Sequence, residues 1–185
     1  AMQGIGIGES DFKILRAKDF YYIDKSLFIK HILDNSSKIA LITRPRRFGK
    51  TLNMSMLRHF LDCNQKDSRK LFEGLKIMEQ GEKYTEKLGA NPCIYLTMKD
   101  VQGDNLEEML YFFQTQLIEL FMEHLQLLKS EKILDIEKEI FNTILNLKAN
   151  KPQLQESIKL LSRMLYEEYE KPVYIPDDLL CYIDD

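Results

Sequence analysis

The spacing of apolar residues predicts that strands and helices alternate along the first half of the chain. Residues 38–43 (KIALIT) form a continuous apolar run, which is typical of a strand buried on both faces of a parallel sheet. Apolar residues then recur at helical spacing over 51–63, and the apolar face of this helix consists of Met54, Leu57 and Leu61. A second strand is predicted at 92–98, because the proline that begins this run is tolerated at the start of a strand.

The pattern near the N-terminus predicts a short aromatic β-type run at 20–23, followed by a helix that extends through Leu33. Asp24 or Ser26 is the expected N-cap of this helix, since both side chains can accept a hydrogen bond from a first-turn N–H. We expect residues 1–19 to form an N-terminal arm. The glycines at 4–8 lack the preceding strand that a glycine-rich phosphate loop requires.

The second half of the chain is predicted to be largely helical. Amphipathic stripes at 105–128, 136–147 and 153–170 each repeat at three- and four-residue spacing. A strand is expected to begin at Val173, after Lys171-Pro172 ends the last helix. These elements predict an α/β fold with a mainly parallel sheet flanked by helices and a large helical region at 105–170.

Composition narrows the classes of protein to which the chain can belong. It has 185 residues, 44% of them hydrophobic and 30% charged, which suits one domain over 1–185. The net charge of -3 gives no general reason to expect nucleic acid or an anionic membrane as partner, and no apolar run approaches the roughly 20 residues that span a bilayer. Three scattered cysteines without a CxxC pair indicate a reduced, cytoplasmic setting.

The strongest chemical signal is the triplet Gly49-Lys50-Thr51, which stands between the apolar strand and the amphipathic helix. In a P-loop, backbone N–H groups surround phosphate oxygens, the lysine reaches the terminal phosphates and the hydroxyl coordinates magnesium. The loop departs from the general GxxxxGK[ST] pattern at its first position, where Arg44 stands. A surface basic cluster without a nucleotide is the alternative, and it would comprise Arg44, Arg46, Arg47, Lys50 and Arg58.

The loop closely resembles that of the bacterial AAA-ATPase-like family, whose members often carry a PD-(D/E)XK nuclease-like module downstream. The matching residues are Arg44, Pro45, Arg46, Arg47, Phe48, Gly49, Lys50 and Thr51. Arginine at the first position is usual in that family. The runs at 21–29 and 92–96 are also similar to it. The resemblance implies a P-loop NTPase-type domain that binds ATP and Mg²⁺ through this loop, with Lys50 also acting in catalysis.

The family would next show a Walker B strand that ends in Asp-Glu. Two acidic pairs have this position and shape, Asp177-Asp178 and Asp184-Asp185. Their carboxylates are the candidate catalytic groups beside Lys50, and the sequence leaves both pairs open. Asp177 is the candidate second magnesium ligand beside Thr51. Neither pair includes the glutamate that polarises water, so the resemblance implies nucleotide binding without implying hydrolysis.

The family's sheet has a further strand after Walker B, and this chain ends before it. We therefore expect an N-terminal fragment with an incomplete sheet, which self-association could complete because unpaired ladder groups are costly. Contact with nucleic acid is expected only through the intact protein. The function predicted from the sequence is an ATP/Mg-binding module. The alternative is a basic-loop nucleic-acid-binding module or a regulatory or interaction module that does not hydrolyse ATP.

Overall fold

The computed structural model describes residues 11–18, 22–35, 39–42, 50–65, 68–96 and 103–176. The chain divides into two compact units, with the boundary between Cys93 and Ile94. The expectation of one domain over 1–185 stays a prediction. Within the described residues, no helix is both long enough and apolar enough to cross a membrane.

The first unit contains five helices and one strand among its described residues. These elements are α1 (Phe12–Ala17), α2 (Leu27–Asp34), β1 (Ile39–Ile42), α3 (Lys50–Leu61), α4 (Arg69–Phe72) and α5 (Glu82–Thr85), with a 3₁₀ turn at Lys76–Glu79. The strand and helix on either side of the glycine-containing loop agree with the sequence pattern within one or two residues. Part of the expected N-terminal arm is helix α1, in which Phe12 is fully buried.

An aromatic cluster forms the core of this unit and joins three of its helices. The ring of Phe72 on α4 lies 5.0 Å from that of Phe12 on α1 and 5.0 Å from that of Phe60 on α3. Tyr22 contacts Phe12 edge to face at 5.5 Å. Such pairs stabilise a fold beyond the burial of their area, by about 0.5–1.5 kcal/mol each.

Helix α3 is more deeply buried than its amphipathic pattern predicts. Its apolar residues are buried, as expected, but so are Asn53, Ser55 and His59. The burial predicted for Met54, Leu57 and Leu61 is confirmed, and polar side chains of the same helix are buried as well. The start of α1 packs against α3 and supplies partners for two of these side chains, since the Phe12 N–H donates to Ser55 and the Asp11 carboxylate contacts His59.

The side chains expected to cap α2 make their hydrogen bonds elsewhere. Ser26 occupies the N-cap position but makes no capping hydrogen bond to its own helix. Its hydroxyl instead accepts a hydrogen bond from the Ile77 N–H at 3.0 Å, and the Asp24 carboxylate accepts from the N–H groups of Ser26 and Lys76. These side chains therefore join the start of α2 to the 3₁₀ turn, about fifty residues further along the chain.

The run predicted as a strand at 92–98 forms no strand in its described part, residues 92–96. An isolated parallel bridge joins Asp62 to Asn91 instead, just before the run. Further along, the Ile94 N–H donates to the carbonyl of Tyr174 at 2.9 Å. Pro92 lies between these contacts and has no N–H to donate, so it cannot contribute to a continuous ladder. Residues 97 and 98 lie outside the described residues.

The second unit is mainly helical, as predicted. Its described elements are α6 (Leu106–Met122), a 3₁₀ turn (Leu125–Lys129), α7 (Asp135–Leu145), α8 (Lys151–Tyr169) and β2 (Val173–Pro176). The three predicted helices are confirmed, except that the first ends at Met122 and continues as the 3₁₀ turn. Helix α8 begins with a capping box in which Asn150 and Gln153 bond reciprocally, and it ends where Glu170 adopts a left-handed conformation with φ of 52°.

The core of this unit lies between the three helices and β2. It is formed by buried apolar residues that include Ile94, Leu117, Phe121, Phe141, Ile144, Ile158, Leu161, Leu165, Val173 and Ile175. Phe121 on α6 and Phe141 on α7 have ring centroids 4.7 Å apart. Strand β2 is buried at Val173, Tyr174 and Ile175, directly before the first acidic pair. The mainly parallel sheet of the sequence analysis stays a prediction.

Candidate functional site

The structure places two of the predicted site residues and leaves the others outside its described part. Lys50 is the first residue of α3 and Thr51 the second, so the triplet ends at the start of a helix. Strand β1 ends at Ile42, eight residues before Lys50. The residues outside the described part are Arg44, Pro45, Arg46, Arg47, Phe48, Gly49, Asp177, Asp178, Asp184 and Asp185.

The first turn of α3 favours an anion. An α-helix begins with N–H groups that have no partner within the helix, and its dipole adds partial positive charge at this end. The first turn of α3 contains no acidic residue that would repel an anion, and it begins with the cationic Lys50. This charge distribution suits a phosphate at the start of the helix.

The N-terminus of α1 is bound to α3 one turn after Thr51. The Phe12 N–H donates a hydrogen bond to the Ser55 hydroxyl at 3.1 Å, in a buried position. The Asp11 carboxylate caps α1 by accepting from the N–H groups of Lys13 and Ile14, at 2.8 and 3.2 Å. The same carboxylate oxygen lies 3.7 Å from Nε2 of His59, one further turn along α3. Two consecutive turns of α3 are thus held by the first turn of α1.

Burial lowers the pKa of His59, and the nearby Asp11 carboxylate opposes this by favouring the charged imidazole. Because burial has the larger effect, the imidazole is neutral at neutral pH. The contact between His59 and Asp11 is therefore a polar one between a neutral ring and a carboxylate, and it strengthens when the ring is protonated.

The far end of α3 is fixed by the backbone of residues 89–91. The Gly89 N–H donates to the carbonyl of Phe60 at 2.6 Å, and the Asn91 N–H donates to the carbonyl of Leu61 at 2.9 Å. In return, the Cys63 N–H donates to the carbonyl of Asn91 at 2.9 Å. The carbonyl groups that a helix leaves unpaired at its C-terminus are therefore partly satisfied by this segment.

Asp62 is a buried carboxylate at this end of α3. Burial raises its pKa, although the Asn64 N–H at 2.9 Å and the Arg58 guanidinium at 3.6 Å both favour the charged form. Burial likewise raises the pKa of the neighbouring Cys93 thiol, and Asp62 adds to that effect. Within the described residues, no group of three or more His, Cys, Asp or Glu side chains is arranged to hold a metal ion.

Sequence reasoning missed three structurally important polar residues, which are Ser55 and His59 on α3 and Asp62 directly after it. A signal was available only for Asp11, since an aspartate directly before an apolar helical pattern is a common N-cap. The partners of Ser55 and His59 lie more than forty residues away in the sequence, so no local pattern reveals them.

Comparisons with known proteins identify the family. A family model described as "Predicted AAA-ATPase" matches residues 5–178. This match includes the whole loop from Arg44 to Thr51 and the first acidic pair, and it ends before Asp184. No curated protein and no solved structure matches the chain. Since the match covers most of the sequence, the chain belongs to the AAA-ATPase-like family.

Proposed function

We propose that this chain binds ATP together with Mg²⁺ through the loop from Arg44 to Thr51. The observation that carries the proposal is the membership of an ATPase-like family over residues 5–178, combined with a Gly-Lys-Thr triplet that ends at the start of α3. A strand that ends at Ile42 precedes the loop, which agrees with the strand–loop–helix context that a P-loop requires.

The residues of the loop have distinct roles in this proposal. The ammonium group of Lys50 binds the terminal phosphates, and the hydroxyl of Thr51 coordinates Mg²⁺. Gly49 allows the backbone to approach the phosphates closely, since it has no Cβ. Arg46 and Arg47 supply additional charge for the phosphate groups, for which guanidinium is well suited.

Asp177 is the proposed second protein ligand of the magnesium site. It follows strand β2 directly, and the family match includes it but ends before Asp184. Asp177→Asn should therefore weaken the magnesium-dependent part of ATP binding, and Asp184→Asn should leave it unchanged. The proposal concerns binding. Hydrolysis would also need a carboxylate that positions water, and neither acidic pair contains glutamate.

The magnesium dependence of ATP binding tests this proposal through Thr51. Calorimetric titrations with ATP would be made in excess Mg²⁺ and in EDTA, for the wild type and for Thr51→Ala and Thr51→Ser. We expect Mg²⁺ to strengthen binding in the wild type and in Thr51→Ser, which keeps the hydroxyl, and to have little effect in Thr51→Ala. The matched control is Thr85→Ala, at a partly exposed threonine of α5. Equal affinity with and without Mg²⁺ in every variant would contradict the proposed metal site.

A further inference from the structure

We infer that Ser55, through its hydrogen bond to the first turn of α1, positions the phosphate-binding end of α3. This inference rests on the proposed function, and it assigns a role to residues outside the loop itself. Ser55 lies four residues after Thr51, which is about one helical turn or 6 Å along the axis. Of the polar contacts described for α3, the bond between the Phe12 N–H and Ser55 is the one closest to the triplet.

Close to the triplet, methionines supply much of the apolar packing of α3. The buried residues nearest to the triplet include Met54 and Met56. Methionine is unbranched and flexible, so it adapts to small shifts of the surface against which it packs. A hydrogen bond at 3.1 Å is more demanding, since it weakens steeply when its distance or angle changes. The Ser55 contact therefore adds a directional constraint on α3 close to the triplet, and the Tyr22 hydroxyl adds another by donating to the Met56 sulfur at 3.2 Å.

The first turn of α1 is itself well ordered by its cap, which makes it a suitable reference point. Asp11 satisfies two of the N–H groups in this turn, and the Phe12 ring is fully buried against Phe72. The Arg16 guanidinium extends from the same helix to the carbonyl groups of Leu71 and Glu73, at 2.8 and 3.0 Å. Helix α1 is thus tied to α4 at one end and to α3 at the other.

Displacement of α3 should reduce nucleotide affinity because its N-terminus supplies part of the phosphate site. Contacts to charged phosphate oxygens depend on the direction of each N–H, and small misplacements at such sites have large effects. Ser55→Ala leaves the buried Phe12 N–H without this acceptor, so it should also lower the free energy of unfolding by about 1–3 kcal/mol. A loss of affinity in Ser55→Ala that Tyr84→Phe does not share would identify positioning.

The test compares Ser55→Ala, Ser55→Thr and Tyr84→Phe with the wild type, by calorimetry with Mg·ATP and by urea unfolding of the same samples. Ser55→Ala should weaken binding by about fivefold or more, and Ser55→Thr, which retains the hydroxyl, by less than about twofold. Tyr84→Phe removes a hydrogen bond of 2.7 Å to Asp34 in the same unit, so it should lower the unfolding midpoint without changing the affinity. Wild-type affinity in a folded Ser55→Ala would overturn the inference.

A second variant approaches the same contact from α1. Asp11→Ala removes the cap at a half-exposed position, so it should loosen the first turn of α1, remain folded and weaken Mg·ATP binding by a few-fold. Unchanged affinity in this variant would count against the inference even if Ser55→Ala did not fold. A wild type that does not bind Mg·ATP at all would instead overturn the proposed function, and this outcome differs from equal binding by wild type and variants.

Discussion

The hydroxyl of Ser26 accepts a hydrogen bond from the backbone N–H of Ile77 at 3.0 Å, and both residues are fully buried. This contact joins the start of α2 to the 3₁₀ turn at Lys76–Glu79. It also replaces the helix-capping role that the sequence indicates for Ser26. A buried N–H that loses its only acceptor is costly, since water cannot replace the missing partner.

Ser26→Ala should therefore destabilise the first unit by about 1–3 kcal/mol, which is the usual cost of a buried donor left without an acceptor. Urea unfolding followed by circular dichroism would measure the change. Ser68→Ala is the matched control, because Ser68 is also buried and its bond within the described part of the chain is a local one, of 3.3 Å to the carbonyl of Gln65. We expect the free energy of unfolding to fall less than half as much in Ser68→Ala as in Ser26→Ala. Equal losses in the two variants would show that the Ile77 contact has no special importance.

The second unit contains an ion pair of unequal exposure. Nε of Arg163 on α8 lies 2.9 Å from the carboxylate of Glu137 on α7, and the Glu137 side chain is only 9% exposed. Arg163→Met should lower the free energy of unfolding by about 2 kcal/mol or more, since it leaves the buried Glu137 carboxylate without its arginine partner. Lys159→Met is the control on the same helix, because Lys159 and Glu156 are both exposed and 3.8 Å apart. Pairs of that kind contribute about 0–1 kcal/mol.

A double variant separates the ion pair from the packing of the arginine stem. Glu137→Gln removes the buried charge, so Arg163→Met should cost clearly less when it is made in the Glu137→Gln background. The two costs would be compared by chemical unfolding at neutral pH. Identical costs in the two backgrounds would mean that packing, and not charge, explains the effect of Arg163.

Asp62 should make stability depend on pH in the direction that burial dictates. Its folded-state pKa is raised, so its contribution is fully present below the unfolded pKa of about 3.9 and is lost as pH rises through the folded-state value. Asparagine does not ionise, so Asp62→Asn should not show this loss of stability as pH rises. The stability of the variant relative to the wild type should therefore increase between pH 4 and pH 7.

Asp34 provides a control of opposite sign. The hydroxyl of Tyr84 lowers the pKa of Asp34, so the stabilising contribution of this carboxylate is present above the unfolded pKa and is lost as pH falls. Relative to the wild type, Asp34→Asn should become less stable as pH rises from about 3 to 6. Parallel pH profiles for the Asp62 and Asp34 variants would contradict the assignment of burial as the dominant effect at Asp62.

The elements with strong local periodicity were predictable from the sequence. The helices of the second unit follow from their apolar stripes, and Asn150 with Gln153 supplies a recognisable start signal. The end of α6 was not predictable from the sequence, since the apolar stripe continues into the 3₁₀ turn, where Leu127 is still buried. A change from α-helical to 3₁₀ geometry leaves little trace in an apolar pattern.

The candidate site was predictable only where its signal is contiguous in the sequence. The triplet Gly49-Lys50-Thr51 indicates its own chemistry, and the structure begins α3 at Lys50. The contact of Ser55 with the Phe12 N–H depends on how α1 packs against α3, and residues 43 positions apart have no shared pattern. Burial of Asp62 likewise follows from the backbone pairing with Asn91, which a single sequence does not reveal.

The most direct test of the account is a calorimetric titration of the wild type and Lys50→Ala with Mg·ATP at low and moderate salt. We predict one binding event in the wild type and an affinity at least about tenfold lower in Lys50→Ala, because a charge-assisted contact to phosphate is lost. Lys70→Ala, at an exposed lysine of α4, should bind as the wild type does. A folded wild type that does not bind, or one that binds unrelated polyanions equally well and loses that binding steeply with salt, would contradict the proposed ATP site.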